Sequence, residues 1–578
     1  MTRRRWWLAG AALVVAWVVV SGLLLVRAAH DLQSGRDEAQ SARDGVDATS
    51  IADGKPLPAL RRANAHFRSA HSATGSPVLL PMRLLPVAGR QLRSVHALAG
   101  AASDVTAAAV DAVAQAHDAL RRPSTGGSSR LEQIRALSAA VSKADARVAA
   151  VHDLGPRRGL VGPLADARNE LARQLLEART SLDDAAAGAL AGLRLLEGPK
   201  RYLVVAANTA EMRAGSGMWL SGGVLSTNGG RLDLGPVSPL YLQANPPTGA
   251  APEVTDRDLR DRWAADWQPS GDWRALMTSP RMPAAAELGL RMWRAAGREP
   301  IDGVLVVDPV GLAAVVRATR PVELLSGSIA ADDIVPLLAN GQYQQFGADT
   351  NEQGDRREAL GAIAGAAFHA LDDGDWKPTV LAGELAKAVK GRHLLAWSAT
   401  PLEERGWEAA GMAGDLQPDS VLVSALNRGG NKLDYFLPID GRLTTSRVGA
   451  DTQVTATLAL RNTTPSGQPR YVAGPPVGQR WEPGRYVGVV AVDVPAAATA
   501  VRIDGVEHPV AQGPDGAAQV VATEVQLAAG ETRQVVVTFR LPGRHGRLRI
   551  EPSARFPGIT WHYGSQGWED SEAHTANY

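Results

Sequence analysis

The sequence predicts a layered α/β domain between an N-terminal helical region and a C-terminal β-sandwich. One transmembrane helix precedes these three parts. Three observations lead to this arrangement: an uncharged run near the N-terminus, a change from helical to strand periodicity near Lys200, and an all-β pattern after Lys432. The chain has 578 residues. This length is too great for one hydrophobic core and suits three or four domains of about 150 residues.

The N-terminal run from Trp6 to Val26 holds 21 residues without a charge. A helix of that length spans about 30 Å, the thickness of the hydrocarbon core of a bilayer. Three arginines precede the run and one follows it, so the positive-inside rule predicts a single-pass helix in the cell membrane, with residues 1–5 cytoplasmic and the bulk of the chain extracytoplasmic. A cleaved signal peptide is the alternative. Its apolar part usually covers about 7 to 15 residues, so the longer run favours a retained anchor.

The composition excludes several classes of protein. With 61 basic and 60 acidic residues the chain carries a formal net charge of +1, so no nucleic-acid partner is predicted. The absence of cysteine excludes disulfides, thiolate metal sites and a cysteine nucleophile. The 12 histidines are scattered and none forms an H-x-x-x-H pair, so the sequence names no metal ligand. Outside the cytoplasm lipid-linked sugars and wall polymers are more available than ATP, which favours a cell-envelope function.

Residues 28–198 carry apolar side chains at spacings of three and four, interrupted by proline and glycine. This pattern predicts a helical stalk or bundle outside the bilayer. One apolar stretch within it, SPVLLPMRLLPVAGRQL at residues 76–92, has an alternative interpretation as a segment at the membrane interface. Its prolines argue against a second membrane-spanning helix.

The periodicity changes at Lys200, where the strand-like runs RYLVVAA, GMWLSGGVLST and RLDLGPVSPL follow one another. Asn228-Gly229-Gly230 between the last two runs is a strong hairpin signal, whereas NTAEMR after the first is predicted to be a loop. Helical AAAELGLRMWRAAG, apolar IDGVLVVD and helical PVGLAAVVRATRP come next, and helices and strands continue to alternate. Residues 199–430 therefore predict a layered α/β domain.

The pattern becomes all-β after Lys432. Runs such as DTQVTATLALRNTTP and AQVVATEVQLAAG alternate apolar and polar residues between Gly and Pro turns. Residues 432–578 therefore predict a β-sandwich of the immunoglobulin-like kind. Such domains usually bind or brace, so no chemistry is assigned to this one.

Three stretches resemble a known family. RYLVVAANTAEMRAGSGMW, PIDGVLVVDPVGLAAVVRATRPVEL and NRGGNKLDYFL look like the envelope proteins grouped as domain of unknown function 4012, and the likeness extends over most of residues 30–570. The resemblance implies a membrane-anchored extracytoplasmic protein found in polysaccharide settings, with no established reaction.

The order of strand, arginine-bearing loop, strand, Asn-Gly turn and strand, followed later by GDRREALGAIAGAAFHAL, is also similar in layout to the LytR-CpsA-Psr phosphotransferases. That resemblance implies transfer of a glycopolymer from a polyprenyl pyrophosphate carrier to peptidoglycan, with arginines, acids and a divalent cation such as Mg²⁺ around the pyrophosphate. Arg213 matches the arginine of the first loop, and Asp355-Arg356-Arg357 matches a segment that opens a helix. The chain departs from that family at PVSPL, which lacks the arginine and the acid that end the third strand there.

The site that this resemblance implies has Arg213, Glu211 and Asp355 as catalytic residues and Asn208, Arg356 and Arg357 as substrate-binding residues. The arginines would grip the pyrophosphate, because a guanidinium fork pairs with phosphate oxygens and a helix N-terminus favours anions. The acids would hold a cation or activate the acceptor hydroxyl. The asparagine would contact the cation or a sugar hydroxyl.

The three arginines and the asparagine each have a structural alternative. Arg213 pairs with Glu211 or caps its loop, Asn208 forms a turn, and the two later arginines lie on a solvated first turn. The glycines of GSGMWLSGG serve tight turns rather than a phosphate loop, and LDDGDW ends a helix rather than binding calcium. Either sugar stacking or core packing accounts for Trp219, Trp263, Trp267 and Trp273.

Two functions therefore stay open. The first is a glycopolymer phosphotransferase of cell-wall polysaccharide assembly, with a lipid-linked glycan and peptidoglycan as substrates. The second is a non-enzymatic scaffold or accessory subunit of an envelope complex for polysaccharide synthesis or export, which the missing charges at PVSPL favour.

Overall fold

A computed structural model describes the backbone of residues 2–44, 48–122, 126–324, 327–345, 350–374 and 376–578. Within these ranges the side chains of residues 2–14, 44, 48–49, 345 and 350–360 are not described. The chain forms two compact units. The first consists of Met1–Ser124 with Leu131–Leu193, and the second of Thr125–Arg130 with Arg194–Tyr578.

The N-terminal part of the chain is helical, which confirms the predicted helical region. Its helices are α1 (Thr2–Asp44), α2 (Ala48–Ala52), α3 (Leu57–Gly75), α4 (Leu80–Arg83), α5 (Ala88–Leu120), α6 (Gly127–Ala149) and α7 (Gly162–Glu197). The uncharged run and the polar stretch after it form one unbroken helix, α1. Val15–Arg43 within α1, and also α5, are long and apolar enough to cross a membrane. The predicted N-terminal helix of membrane-spanning length is therefore confirmed, whereas its orientation and its retention stay predictions.

Small residues and polar pairs hold α1 against α3. Ala28 of α1 packs with Ala70 of α3 and Ala99 of α5, because alanine lets helix backbones approach closely. Further along α1, Asp31 accepts a 2.6 Å hydrogen bond from the hydroxyl of Ser69. Arg62 forms a bidentate pair with Glu38 at 2.8 and 2.9 Å. Since residue numbers fall along α3 as they rise along α1, the two helices are antiparallel.

The second unit begins with an α/β layer, which confirms the predicted mixed α/β class. Its strands are β1 (Lys200–Arg213), β2 (Ser216–Asn228), β3 (Arg231–Leu234), β4 (Ser238–Pro239), β5 (Gly303–Val307), β6 (Val322–Leu324), β7 (Gly327–Ile329) and β8 (Leu394–Ser398). Its helices are α8 (Leu240–Gln243), α9 (Arg257–Trp267), α10 (Met282–Ala295), α11 (Pro309–Ala318), α12 (Ala331–Pro336), α13 (Gln342–Gln345), α14 (Thr350–Asp373), α15 (Pro378–Lys390) and α16 (Pro401–Ala409). The main sheet has the order β3-β2-β1-β5-β8, and β4 pairs with β2.

The stretch Tyr202–Ala207 of β1 is apolar because β1 is the central strand of this sheet. It pairs in parallel with β5 and antiparallel with β2, and its residues Tyr202, Leu203 and Val205 are fully buried. The predicted hairpin is confirmed: Gly229 and Gly230 adopt φ values of +58° and +83°, the left-handed conformations that such a turn needs.

The predicted loop at NTAEMR is wrong. Strand β1 continues through this stretch to Arg213, which pairs with Ser216 across a turn at Ala214-Gly215. A bulge between Asn208 and Met212 lets the ladder resume after an interruption. The polar residues that suggested a loop are accommodated because they face a pocket rather than a packed sheet face.

The C-terminal part consists of two six-stranded sheets. Their strands are β9 (Ser420–Asn427), β10 (Ile439–Val448), β11 (Asp451–Arg461), β12 (Tyr486–Pro495), β13 (Thr499–Ile503), β14 (Ala511–Asp515), β15 (Ala518–Leu527), β16 (Thr532–Leu541), β17 (Arg547–Ile550), β18 (Ile559–Tyr563), β19 (Gln566–Glu569) and β20 (His574–Asn577), and the short helix α17 (Arg470–Ala473) lies between β11 and β12. The orders are β13-β16-β11-β10-β18-β19 and β14-β15-β12-β9-β17-β20. The strand-rich C-terminus is confirmed. The immunoglobulin-like interpretation is not, because parallel pairs β10/β18 and β9/β17 depart from that antiparallel fold.

One sheet of the sandwich is buried on both faces. Alternate residues of β12 point in opposite directions, so Val490 and Val492 belong to the sandwich core while Val489 and Ala491 pack against the α/β layer. Strand β9 lies within the range predicted for the α/β domain but pairs with β12 in this sheet. The two layers of the second unit therefore share an apolar core, and the loop after β9 lies beside the bulged end of β1.

Candidate functional site

A polar pocket lies where the end of β1, the end of α9 and the loop after β9 meet. It encloses about 1260 Å³ of space free of atoms, including the part open to solvent. Its lining consists of Glu211, Arg213, Met218, Leu220, Ser221, Pro239, Tyr241, Trp267, Arg274, Asn427, Arg428, Gly430, Lys432, Tyr471 and Pro476. We call it the cationic pocket, because four of these residues are basic and, among the described lining residues, Glu211 alone is acidic.

Arg213 is held rigidly in the wall of the cationic pocket. Its Nε donates to the carbonyl of Arg274 at 2.8 Å, and its Nη1 donates to the carbonyls of Met212 and Asn427 at 3.0 and 2.9 Å. Burial lowers the pKa of Arg213, while the nearby carboxylates of Glu211 and Asp434 act in the opposite direction. Its Nη2 has no hydrogen-bond partner among the residues that the structure describes.

An indole ring joins two of the guanidinium groups. The Cζ of Arg213 lies 5.1 Å from the ring centroid of Trp267, and the Cζ of Arg428 lies 5.2 Å from it. Such contacts orient the planar guanidinium groups and offset part of their mutual repulsion. Trp267 is the last residue of α9, so the end of that helix positions both cations.

A chain of polar contacts crosses the other wall. Glu211 Oε2 accepts hydrogen bonds from Lys432 Nζ at 2.8 Å and from Asn208 Nδ2 at 3.2 Å. Asn208 Oδ1 accepts one from the hydroxyl of Tyr343 at 3.0 Å. The ammonium of Lys432 lies 4.9 Å from the ring centroid of Tyr471. Glu211 therefore fixes Lys432 in the pocket wall, and Asn208 fixes Glu211.

The remaining cations also have acidic partners. Arg274 bonds Asp272 through Nε at 3.0 Å, and this hydrogen bond raises the pKa of Arg274. Arg428 reaches Glu524 with a contact of 3.2 Å. In the described part of the chain, Arg213 is thus the pocket cation that has no carboxylate within ion-pair distance. An anion bound in the pocket would supply an ion-pair partner to Arg213.

A buried acid, Asp434, links β1 to β9 next to the cationic pocket. Asp434 accepts hydrogen bonds from the backbone N–H of Met212 at 3.1 Å and from Asn427 Nδ2 at 2.8 Å, and Arg555 Nη1 lies 3.3 Å away. Burial raises the pKa of Asp434, whereas Arg555 opposes that change. Because Asp434 ties the bulge of β1 to the loop after β9, both walls of the pocket keep a fixed distance.

An apolar cavity adjoins the cationic pocket and holds about 880 Å³ of atom-free space, including its open mouth. Its lining includes Val204, Ala206, Val237, Leu312, Leu338, Gly361, Ala364 and Phe368, together with the less apolar Asn208, Asp308, Gln342 and Tyr343. Leu220, Ser221 and Pro239 line both the apolar cavity and the cationic pocket. These three residues therefore form a wall that the two cavities share.

Asp308 lies at one side of the apolar cavity and begins α11. Its Oδ1 caps that helix by accepting the backbone N–H groups of Val310 and Gly311, both at 2.9 Å. Its Oδ2 lies 2.7 Å from Nδ1 of His393. Burial acts to lower the pKa of His393, but the Asp308 carboxylate outweighs it and the pKa is raised.

This pair predicts a pH-dependent stability. A raised pKa in the folded state means that the pair stabilises the protein fully below the unfolded histidine pKa of about 6.5, and that this contribution disappears as pH rises through the folded pKa. We expect the thermal midpoint of the full-length protein in detergent to fall between pH 6 and pH 9.

The replacement Asp308→Asn should remove that slope while keeping the helix cap, since asparagine caps as well as aspartate. Asp308→Ala should remove the slope and also cost about 0.5–2 kcal/mol for the lost cap. A wild-type slope that persists in Asp308→Asn would show that other groups cause it.

The structure brings together three of the six residues named from the sequence. Asn208, Glu211 and Arg213 lie within one bulged strand end, and Glu211 and Arg213 face the cationic pocket. The side chains of Asp355, Arg356 and Arg357 lie outside the described residues. Their helix, α14, lines the apolar cavity further along, through the three residues Gly361, Ala364 and Phe368. Their predicted roles therefore stay predictions.

Sequence reasoning missed Arg274, Arg428 and Lys432. The last two lie in NRGGNK, a stretch valued only for its family likeness, although a glycine-rich loop that follows a strand and carries two cations is a signal of anion binding. Arg274 has no such signal, since only folding places it near Arg213.

Several other residues that the sequence singled out have structural roles. Trp219, Trp263 and Trp273 are buried in the core, whereas Trp267 is the tryptophan of that group that lines the pocket. Asp372 accepts the backbone N–H of Leu232 at 2.9 Å, which is a structural role. A side chain at Gly217 would come within 2.5 Å of the Asn208 backbone, so this glycine permits the close approach of β1 and β2.

The described residues of the cationic pocket do not fit a divalent cation. The pocket presents one carboxylate, Glu211, which already pairs with Lys432, and the other charged groups around it are positive. Hard divalent cations prefer several oxygen ligands. The described part of the pocket instead suits an anion.

Residues 197–343 match the family model described as "Protein of unknown function (DUF4012)". The matched region contains β1 with its bulge, β2 and the β5–α11 unit, and so supports the likeness to that family drawn from the first two sequence stretches. The comparisons with curated proteins and with solved structures each gave no match. The likeness to LytR-CpsA-Psr phosphotransferases stays a prediction.

Proposed function

We propose that this protein binds a polyprenyl pyrophosphate-linked glycan outside the cytoplasm and transfers the glycan phosphate to a cell-wall acceptor. The observation that carries the proposal is the shared wall of Leu220, Ser221 and Pro239 between a cationic pocket and an apolar cavity. A lipid pyrophosphate consists of an anionic head, which suits the cationic pocket, and a hydrocarbon chain, which suits the apolar cavity.

The cationic pocket supplies what phosphoryl transfer requires of a protein. Charge builds on phosphate oxygens in the transition state, and preorganised cations that need not move stabilise it. Arg213 meets this condition, because three backbone carbonyls and the Trp267 ring fix its guanidinium. Lys432 meets it as well, since Glu211 and the Tyr471 ring hold its ammonium.

The proposed reaction is a displacement at phosphorus. The acceptor hydroxyl oxygen forms a bond to the phosphorus that bears the sugar, while the bond from that phosphorus to the bridging oxygen breaks. Polyprenyl phosphate leaves with the bridging oxygen, and the hydroxyl proton passes to a carboxylate. Glu211 and the predicted Asp355 are the proposed acceptors of that proton.

The second proposed function is a scaffold for an envelope polysaccharide complex, which binds the lipid-linked glycan without turnover. A specific observation favours the scaffold. Glu211 already accepts hydrogen bonds from Lys432 and Asn208, which makes its carboxylate a weaker acceptor for the proton of a substrate hydroxyl. The PVSPL stretch agrees with this view, since Val237, Ser238 and Pro239, which line the apolar cavity, carry no charge.

Binding of model ligands to the full-length protein in detergent tests both functions. We expect farnesyl pyrophosphate to bind more tightly than inorganic pyrophosphate and than farnesol in calorimetric titrations, because each part alone fills one cavity. Equal weak binding of all three would refute the lipid pyrophosphate site. Release of polyprenyl phosphate from a lipid-linked glycan, on addition of peptidoglycan, then separates transferase from scaffold.

A further inference from the structure

The segment Val78–Val87, which connects α3 to α5, leaves most of its apolar side chains uncovered, although Leu79 is buried. Leu84 is 86% exposed and Val87 is 70% exposed, and Val78, Leu80 and Leu85 are exposed as well. Contiguous exposed apolar surface of this kind marks an interaction site rather than an ordinary protein surface. We call Val78–Val87 the apolar wedge.

The antiparallel pairing of α1 and α3 places the apolar wedge beside the uncharged run of α1. The indole Nε1 of Trp17 donates a 2.7 Å hydrogen bond to the carbonyl of Val78. Val26, the last uncharged residue of the run, is nine positions after Trp17. At 1.5 Å per residue, the wedge therefore begins about 14 Å inside the outer end of the apolar run, against a hydrocarbon thickness of about 30 Å.

Several arginines lie near the apolar wedge, on the side away from its exposed apolar side chains. Arg83 directs Nη2 to the carbonyl of Thr74 on α3 at 2.7 Å, so its charged end points away from the wedge. Arg93 donates to the carbonyl of Arg83 at 3.1 Å. Exposed Arg157 and Arg158 precede Gly159, whose carbonyl accepts a 2.8 Å hydrogen bond from Gln91 near the start of α5. An apolar tip below a group of arginines matches a membrane with anionic headgroups.

Several backbone N–H groups that lipid would leave without partners are either absent from the apolar wedge or hydrogen-bonded to nearby carbonyls. Pro81 and Pro86 of the wedge, and Pro77 just before it, carry no N–H group. The N–H of Leu79 bonds the carbonyl of Ser76 at 3.0 Å, and that of Leu84 bonds the carbonyl of Pro81 at 3.3 Å. Prolines and short helical turns of this kind reduce the number of backbone donors that the hydrocarbon region would leave unpaired.

We propose that the apolar wedge inserts into the outer leaflet beside the transmembrane part of α1, with the surrounding arginines on anionic headgroups. The proposal rests on the proposed membrane anchor and is independent of the transfer reaction. It assigns to Val78–Val87 a second membrane contact, which would fix the tilt of the stalk relative to the bilayer.

The chain contains no cysteine, so one introduced cysteine carries a label at one known position. Leu84→Cys, Leu23→Cys and Leu176→Cys are each labelled with an environment-sensitive fluorophore in the full-length protein, reconstituted in vesicles of zwitterionic and anionic phospholipid. All three positions are exposed leucines. Leu176 follows Leu175, which packs against Ala101 and Ala108 far along α5 from the wedge, so it is a matched aqueous control.

We expect lipids brominated on the acyl chain to quench the label at position 84 and at position 23, and to leave position 176 unquenched. Brominated anionic lipid should quench position 84 more than brominated zwitterionic lipid, and Arg93→Gln should reduce that difference. Quenching at 23 without quenching at 84 overturns the wedge and keeps the anchor, whereas no quenching at either position overturns both. Emission at 84 that depends on protein density instead of brominated lipid assigns the surface to a second copy, which also overturns the proposal.

Discussion

Replacing Arg213 with lysine is expected to weaken binding of farnesyl pyrophosphate about 10- to 100-fold, the range that corresponds to a lost charge-assisted hydrogen bond of about 1.5–3 kcal/mol. Lysine keeps the positive charge but loses the planar fork that bonds three carbonyls and stacks on Trp267. The charge would then be neither fixed nor aimed at the pocket. Calorimetric titration of the full-length protein measures the change.

The matched control is Arg428→Lys. Both guanidinium groups lie over the same indole ring, but Arg428 is more exposed and is paired with Glu524. We expect its replacement to change the affinity by less than about threefold, since exposed ion pairs contribute about 0–1 kcal/mol. The thermal midpoint of each variant shows whether it folds. Equal effects of the two replacements, at equal thermal midpoints, would mean that Arg213 has no special role.

Local patterns predicted the elements whose neighbours lie close in sequence. The β2–β3 hairpin follows from Asn228-Gly229-Gly230, and the start of α11 follows from the Asp308-Pro309 pair, because both depend on backbone preferences of the residues themselves. The extent of β1 could not be predicted in this way. NTAEMR has the composition of a loop, and it is extended because the distant carboxylate of Asp434 accepts the N–H of Met212.

The same distinction applies to the site. Arg213 could be named from the sequence because a strand precedes it and the family likeness includes it. Arg274 and Lys432 could not, since long-range packing brings them to Arg213 and Glu211 respectively. The apolar cavity is also invisible in the sequence. Its walls come from the central sheet and from α14, whose alanine-rich sequence equally suits a packed core.

Filling the apolar cavity should separate the two halves of the proposed ligand. Ala364 lines the cavity, and tryptophan in its place would occupy space that a hydrocarbon chain needs. We expect Ala364→Trp to reduce the affinity for farnesyl pyrophosphate at least about 100-fold, because each buried methylene contributes about 0.8 kcal/mol and a prenyl chain contains several. The affinity for inorganic pyrophosphate should stay at the wild-type value, since the cationic pocket is unchanged.

Ala362→Trp is the control on the same helix, because Ala362 is exposed and does not line the cavity. It adds the same side chain to α14 and should leave both affinities unchanged. Taken with Arg213→Lys, which should weaken both ligands, the two tryptophan variants test whether the head binds in the cationic pocket and the chain in the apolar cavity. Undiminished farnesyl pyrophosphate binding in a folded Ala364→Trp protein would remove the lipid from the apolar cavity and leave the cationic pocket as a site for a water-soluble anion. Loss of pyrophosphate binding in the same variant would show that head and chain do not have separate sites.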